Sequence, residues 1–341
     1  MITHSHQTYK NYLRTNKFTW LITGAAGFIG SHLVEELLSL DQSVVGVDNF
    51  LTGKKENLEI VAKNQKNSFV KNFTLYEIDI TNEAALEKLP SPDFILHQAA
   101  LGSVPRSLES PIESNKNNVT GFLHVLYFSK QRQVKNFVYA SSSSVYGDHP
   151  DLPKLEALTG NLQSPYAVTK MINEMYASVF SRSYDMCTVG LRYFNVFGPR
   201  QDPNGQYAAV IPRWIDSTLN DETLIINGDG STSRDFCYVK NVVQANILAA
   251  LSYENQITSP VYNISCGGQT TLNELASSIQ ESIKTLFPAL EPKKLHTDFR
   301  KGDIKHSIAD ISKAKKFLGY LPEYEFDAGM KETINYSCQN L

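Results

Sequence analysis

The sequence predicts an α/β protein: a doubly wound parallel sheet with a smaller C-terminal α/β lobe packed beside it. Three observations carry this. Short apolar runs alternate with longer helical segments through the first half of the chain, the pattern of strand–helix–strand crossovers. Several of those runs are unbroken by polar residues, as expected of strands covered by helices on both faces. A glycine-rich turn, ITGAAGFIG (22–30), joins the first strand to the first helix. The chain of 341 residues, 42% hydrophobic and 20% charged, suits one large domain or two moderate ones.

Residues 1–17 read as a polar leader without the apolar centre of a signal peptide. The apolar run behind it is too short and too interrupted by glycine to span a bilayer, so a soluble, cytoplasmic protein is expected. Strands are expected at 18–23, 43–48, 74–79, 93–98, 136–141 and 187–193, with helices starting near Gly30, Asn82, Pro111 and Pro165. The lysine-bearing stretch 53–67 reads as a solvated surface segment. After Tyr193 the texture changes: 194–214 is rich in Gly, Pro and Asn and reads as loops at a cleft. A helix near 240–251, a strand at 260–265 and a helix from about Thr271 follow. The expected division is a nucleotide-binding domain over 18–196, to which 235–261 returns, and a second lobe from 197–234 and 262–341. No flexible linker separates them, which favours a cleft between lobes.

A net charge of −3 with no basic tract argues against a nucleic-acid partner. Cys187, Cys237, Cys266 and Cys338 are far apart and form no C-x-x-C pair. They suggest reduced thiols, with neither a disulfide framework nor a metal site.

Gly24, Gly27 and Gly30 follow a strand and open a helix. Lacking Cβ atoms, they let the backbone turn tightly and approach a pyrophosphate, which then faces the N–H groups of the helix start. The alternative is a turn that merely packs helix on strand. Asp48 ends the next strand, 18 residues after Gly30. A carboxylate there can accept from ribose hydroxyls and repel a 2′-phosphate, favouring NAD over NADP; its local alternative is a turn-initiating Asp before Asn49. Downstream, SSSSVYG (141–147) precedes YAVTK (166–170). Residues i and i+4 share one helix face, so the Lys170 ammonium can sit beside the Tyr166 phenol. A free phenol has a pKa of about 10, and a neighbouring cation is expected to favour the phenolate, making Tyr166 a candidate base.

TGAAGFIG, the strand-end Asp48, the serine cluster and YAVTK together resemble the extended short-chain dehydrogenase/reductase family, in particular its nucleotide-sugar epimerases, which are Rossmann-type proteins. The closer resemblance is to bacterial UDP-N-acetylglucosamine (or UDP-N-acetylglucosaminuronate) 4-epimerases of surface polysaccharide synthesis. It is carried by HQAALGSVPRS (97–107), RYFNVFGPRQDPNGQYAAVIPRW (192–214), GDGSTSRDFCYV (228–239) and RKGDIKHSIAD (300–310). The resemblance implies NAD as cofactor, with Asp79 and Ile80 at the adenine, Ala99 and Ala100 along the cleft and Lys170 on the nicotinamide ribose. Phe28, Ile29, Asn49, Gln98 and Tyr193 complete the implied cofactor set. Ser142 is the implied catalytic serine, with Ser143 and Ser144 facing the sugar. Asn195, Arg234 and Arg300 match diphosphate contacts, Asp303 matches a ribose contact of the UDP, and Gly102, Ser103, Gln201, Ala209 and Val210 fill out the substrate set. Ser307, seven residues after Arg300, matches a position that gates the sugar pocket in related UDP-galactose 4-epimerases. A small residue there admits a C2 N-acetyl group; a surface or N-cap serine is the plain alternative. Homodimers are expected through the two helices starting near Pro111 and Pro165.

These residue types suit the chemistry. Two phosphates call for guanidinium forks and amide donors, and a serine hydroxyl can hold a C4 hydroxyl beside the phenol. His97 and His306 lack the partners of a catalytic imidazole and read as structural, and Tyr238 and Tyr262 read as core. The implied activity is C4 epimerisation of a UDP-N-acetylhexosamine or its uronate. UDP-glucose and UDP-glucuronate 4-epimerases remain alternatives, since SSSSVYG also resembles the latter. A 4,6-dehydratase or decarboxylating synthase would commonly carry an acidic residue where Ser143 and Ser144 stand. A non-catalytic sensor would typically lack the Tyr or Lys.

Overall fold

The computed structural model describes residues 6–204, 208–255, 260–299 and 305–339. Its strands are β1 (Thr19–Thr23), β2 (Ser43–Asp48), β3 (Phe73–Glu77), β4 (Phe94–His97), β5 (Asn136–Ser142), β6 (Thr188–Tyr193), β7 (Val196–Phe197), β8 (Leu224–Asn227), β9 (Ser233–Arg234), β10 (Cys237–Tyr238), β11 (Val261–Ile264), β12 (Thr270–Thr271), β13 (Lys294–Thr297) and β14 (His306–Ser307). The helices are α1 (His6–Thr15), α2 (Phe28–Ser39), α3 (Lys55–Asn64), α4 (Lys66–Asn72), α5 (Glu83–Leu86), α6 (Val104–Glu109), α7 (Pro111–Asn115), α8 (Phe122–Gln131), α9 (Pro165–Tyr184), α10 (Val210–Leu219), α11 (Val239–Leu251), α12 (Leu272–Leu286), α13 (Ser312–Leu318) and α14 (Phe326–Gln339).

Seven strands form one sheet in the order β11-β6-β5-β4-β1-β2-β3, with every pair parallel. The order reverses between β1 and β4, and ligands of open α/β sheets bind at such a switch point, beyond the carboxyl ends of the strands. Strand alternation sends side chains to both faces. Trp20 and Ile22 join one buried cluster with Leu33, Leu37 and Ile247, whereas Leu21 joins the other with Val45, Phe122 and Phe137. A third cluster, including Ile211, Trp214, Leu275, Ile279 and Met330, is the core of the second lobe.

The expected strands and helix starts of the first half all form, shifted by a residue or two. Three expectations need correction. The leader is not merely polar: α1 buries Tyr9 and Leu13, four apart and so on one helix face, and packs on α11. The stretch 53–67 contains α3, whose Leu58 and Val61 are buried. The strand placed at the start of the second lobe, β11, instead pairs with β6 and extends the central sheet, because its Tyr262 and Ile264 are apolar core residues. Helix α11 covers that sheet, packing on β4, β5 and β6.

His97 is buried, with Nδ1 2.9 Å from Thr23 Oγ1 and its ring stacked on Phe137. Burial, with the Lys170 charge, lowers its pKa to about 3, so the ring is neutral and structural. His306 Nδ1 lies 2.7 Å from Ser233 Oγ. Tyr238 and Tyr262 are fully packed core. Among the described residues, no helix is long and apolar enough to cross a membrane, and no group of His, Cys, Asp and Glu could hold a metal ion.

Candidate active site

A cleft of about 400 Å³ opens over the carboxyl ends of β1, β4 and β5. At its floor the first turn folds as a set of close backbone approaches. Gly24 has φ +70°, and a Cβ at Gly30 would lie 1.9 Å from the Gly24 carbonyl oxygen. Gly27 begins α2 without a side-chain cap. The first helical bond at this end runs from Ser31 N–H to Gly27 O at 3.0 Å, leaving the preceding amides of Phe28, Ile29 and Gly30 as orphan donors at a helix N-terminus. That is the chemistry a pyrophosphate requires.

Asp48 lines the same cleft. Its carboxylate accepts from Ala26 N–H at 2.9 Å and Phe50 N–H at 2.8 Å, so it initiates a turn and braces the glycine loop at once. Burial raises its pKa, opposed by these backbone bonds. Each oxygen keeps a second lone pair for a ribose hydroxyl. The donors, the turn and the carboxylate thus fit a dinucleotide. A 2′-phosphate placed beside Asp48 would meet its charge, so the protein should bind NAD in strong preference to NADP. In Asp48→Ala that preference should narrow, and stability should fall by about 1–3 kcal/mol as two N–H groups lose their acceptor. Titrating both cofactors against both proteins checks this; an unmodified protein that favours NADP contradicts it.

Gln98, Ala99, Ala100, Asn49, Ile80, Gly102, Tyr193, Asn195 and Gln201 also line the cleft. Gln98 Oε1 accepts from Tyr193 OH at 3.0 Å, and Gln98 Nε2 donates to Asn246 Oδ1 at 2.9 Å. Asp79 stands just outside, accepting from Thr81 N–H and Oγ1, both at 2.8 Å. Burial raises its pKa, but those bonds, Asn49 and the Lys116 charge outweigh it and leave the pKa lowered.

Ser142, Tyr166 and Lys170 converge at the inner end. Ser164 caps α9 through Ala167 N–H at 3.2 Å with Pro165 in the first turn, which sets Tyr166 and Lys170 on the buried face. Lys170 Nζ donates to Ala140 O at 2.8 Å and sits 5.8 Å from the Tyr166 ring centroid. Burial lowers the Lys170 pKa to about 8. Lys170 does not shift the phenol toward its ionised form as its spacing suggests. Burial raises the Tyr166 pKa, and what opposes it is the neighbouring Ser142 hydroxyl, not Lys170. The Lys170 ammonium is itself desolvated and bonded to a carbonyl, so in the protein alone the phenol stays protonated near neutrality.

Several expected substrate residues do not line this cleft. Ser103 caps α6, accepting from Arg106 N–H at 3.3 Å. Ser143 and Ser144 fold into a 3-10 turn capped by Ser142, with Ser144 N–H 3.1 Å from Ser142 Oγ. Ala209 precedes α10 and Val210 begins it. Arg234 and Ser307 are register partners across β9 and β14, with Arg234 Nη1 bonded to Ser233 O at 2.9 Å. Arg300 and Asp303 lie outside the described residues.

Other supports were not anticipated. Ser107 Oγ accepts from the Tyr166 backbone N–H at 3.0 Å. Asn118 bonds Leu101 N–H at 2.7 Å and Leu101 O at 3.0 Å from a π-helical turn, Lys116–Gly121, which also brings Asn117 to the cleft. Such turns recur at functional sites. The asparagine run KNNVTG was the available signal.

The sheet, the glycine turn and the Ser–Tyr–Lys group define a nucleotide-binding α/β enzyme of the short-chain dehydrogenase/reductase type. The chain belongs to the NAD dependent epimerase/dehydratase family, whose model matches residues 20–265. A putative UDP-glucose 4-epimerase of Methanocaldococcus jannaschii is 36% identical over 323 residues, 94% of this chain and 98% of that protein. The structure of a UDP-N-acetylglucosamine 4-epimerase from Methanobrevibacter ruminantium, in complex with UDP-N-acetylmuramic acid, superposes with a TM-score of 0.85 at 38% identity, covering 96% of this chain and all 100% of the other. A UDP-glucuronic acid 4-epimerase from Bacillus cereus, in complex with UDP-glucuronic acid and NAD, gives 0.82 at 30% identity, covering 95% and 100%.

Proposed function

We propose that this protein interconverts the C4 epimers of a UDP-N-acetylhexosamine or its uronate. The coarser activity, NAD-dependent 4-epimerisation of a UDP-sugar, follows from the family and from relatives of that activity over nearly the whole chain. The observation that carries the mechanism is the meeting of Ser142, Tyr166 and Lys170 at the inner end of the dinucleotide cleft.

When bound, NAD supplies a reversible hydride acceptor for C4 and a positive charge beside the phenol. Once the phenol has lost its proton to solvent, as that positive charge favours, Tyr166 takes the C4 hydroxyl proton while Ser142, beside it in the cleft, orients that hydroxyl. Lys170, fixed on Ala140 O, holds two remaining N–H donors toward the cleft. After the 4-keto sugar turns over, its opposite face receives the hydride at C4 and Tyr166 returns the proton to the C4 oxygen. Asn195, Arg234, Arg300 and Asp303 are proposed to hold the UDP, and Gln201 to sit at the mouth. A cytoplasmic setting suits the free thiols. Exposed apolar side chains on α7 and α9, Ile112, Met175 and Val179, support pairing of two copies through these helices.

The N-acetyl preference rests on Ser307. In β14 it stands opposite Arg234, half-buried. Ser307→Tyr should depress kcat/KM for UDP-N-acetylglucosamine or its uronate at least about tenfold more than for UDP-glucose, since discrimination is a difference in transition-state binding. Equal losses on both would remove Ser307 as a gate. The second reading, UDP-glucose or UDP-glucuronate as the natural pair, is favoured by relatives with those names, and for the glucuronate also by the SSSSVYG run. Presenting the purified protein with each UDP-sugar and comparing kcat/KM decides between them.

A further inference from the structure

Behind the catalytic group lies a buried ion pair that the proposed chemistry does not use. Arg192 of β6 grips Glu174 of α9 at two points, Nε to Oε1 at 2.9 Å and Nη2 to Oε2 at 2.7 Å. Their side chains are only 4% and 9% exposed. Arg192 also donates to Glu156 O at 3.1 Å and lies 4.9 Å from the Tyr146 ring centroid. A third member joins them: Ser141 Oγ donates to Glu174 Oε1 at 2.5 Å.

The sequence positions make this more than a buried pair. Tyr166, Lys170 and Glu174 are spaced by four and share one face of α9. Each meets one of three consecutive residues at the end of β5. Lys170 bonds Ala140 and Glu174 bonds Ser141, while Tyr166 and Ser142 line the same cleft, where the Ser142 hydroxyl favours the ionised phenol. Ser141 lines the cleft, yet its hydroxyl proton is committed to Glu174. A buried ion pair is weak evidence for stability, because well-packed apolar residues can replace one at no loss; fixing a geometry is the alternative use.

We infer that Glu174, held by Arg192, is a positioning residue that clamps Ser141 and so keeps the Ser142 hydroxyl in register with the Tyr166 phenol. Ser141 transmits the clamp and touches no reacting atom. The inference rests on Tyr166 being the base.

Two variants test it. Ser141→Ala removes the tether and leaves the ion pair whole. Glu174→Asp keeps a carboxylate for Arg192 but is one methylene too short to hold both partners. In each, kcat for UDP-N-acetylglucosamine should fall about tenfold with little change in KM, and the same substitution made in a Ser142→Ala background should cost less than about twofold, because coupled residues are non-additive. A merely structural role would cost the same in both backgrounds. An activity-free readout accompanies this: the Tyr166 titration, taken as tyrosinate absorbance against the matching Tyr166→Phe protein, should move to higher pH in both variants as the Ser142 hydroxyl shifts away from the phenol. Unchanged kcat, equal losses in the two backgrounds, or an unmoved phenol would overturn the clamp. An unmodified protein that turns over no UDP-sugar would sink the epimerase reading instead, and the phenol titration would still decide the clamp.

Discussion

Tyr166→Phe should lower kcat by at least about a hundredfold, the usual size of a general-base contribution, while UDP-sugar and NAD still bind. The substitution is clean in this setting. The ring stays, Lys170 keeps its bond to Ala140 O, and Ser107 still accepts from the residue-166 backbone. Only the ionisable oxygen is lost. Turnover with each UDP-sugar, alongside a binding titration with UDP, separates loss of chemistry from loss of affinity. Near-normal epimerisation by the variant would remove Tyr166 as the base.

Gly30→Ala should disable the site by a different route. Its methyl would lie 1.9 Å from the Gly24 carbonyl oxygen, against backbone that cannot swing aside. The turn must move, at a cost of about 1–3 kcal/mol or more for overpacking, and the amides of Phe28, Ile29 and Gly30 move with it. The variant should melt several degrees lower and carry NAD at least about tenfold more weakly. Gly102→Ala is the control, since a Cβ there meets nothing within 4 Å although Gly102 lines the same cleft; it should retain NAD. If Gly30→Ala binds NAD as well as the control does, the glycine turn is packing alone.

The parts legible in the sequence were those written in local pattern. Largely apolar runs marked β1, β2, β4, β5 and β6, and glycine spacing marked the turn, because a strand covered on both faces and a Cβ-free backbone leave direct residue signatures. Spacing of four placed Tyr166 and Lys170 on one face of α9. What escaped depended on partners far along the chain. Gln98 meets Asn246 across 148 residues, and Ser107 meets Tyr166 across 59. Helix α1 escaped because a single buried pair, Tyr9 and Leu13, is too short a periodicity to register. The sign of the shift at Tyr166 escaped for an electrostatic reason: proximity to Lys170 was legible, but the burial that dominates both groups was not. β11 was seen as a strand yet assigned to the wrong layer, since its pairing with β6 is a tertiary choice.

The most direct test of the central claim follows the C4 hydrogen. Unmodified protein is incubated with UDP-N-acetylglucosamine deuterated at C4, without added reductant, and the C4 epimers are separated. The expected product is UDP-N-acetylgalactosamine that keeps its deuterium at C4, with no net NADH formed, because the hydride leaves and returns within one closed site. Exchange of the label with solvent, or NADH accumulating in step with a keto product, would contradict it.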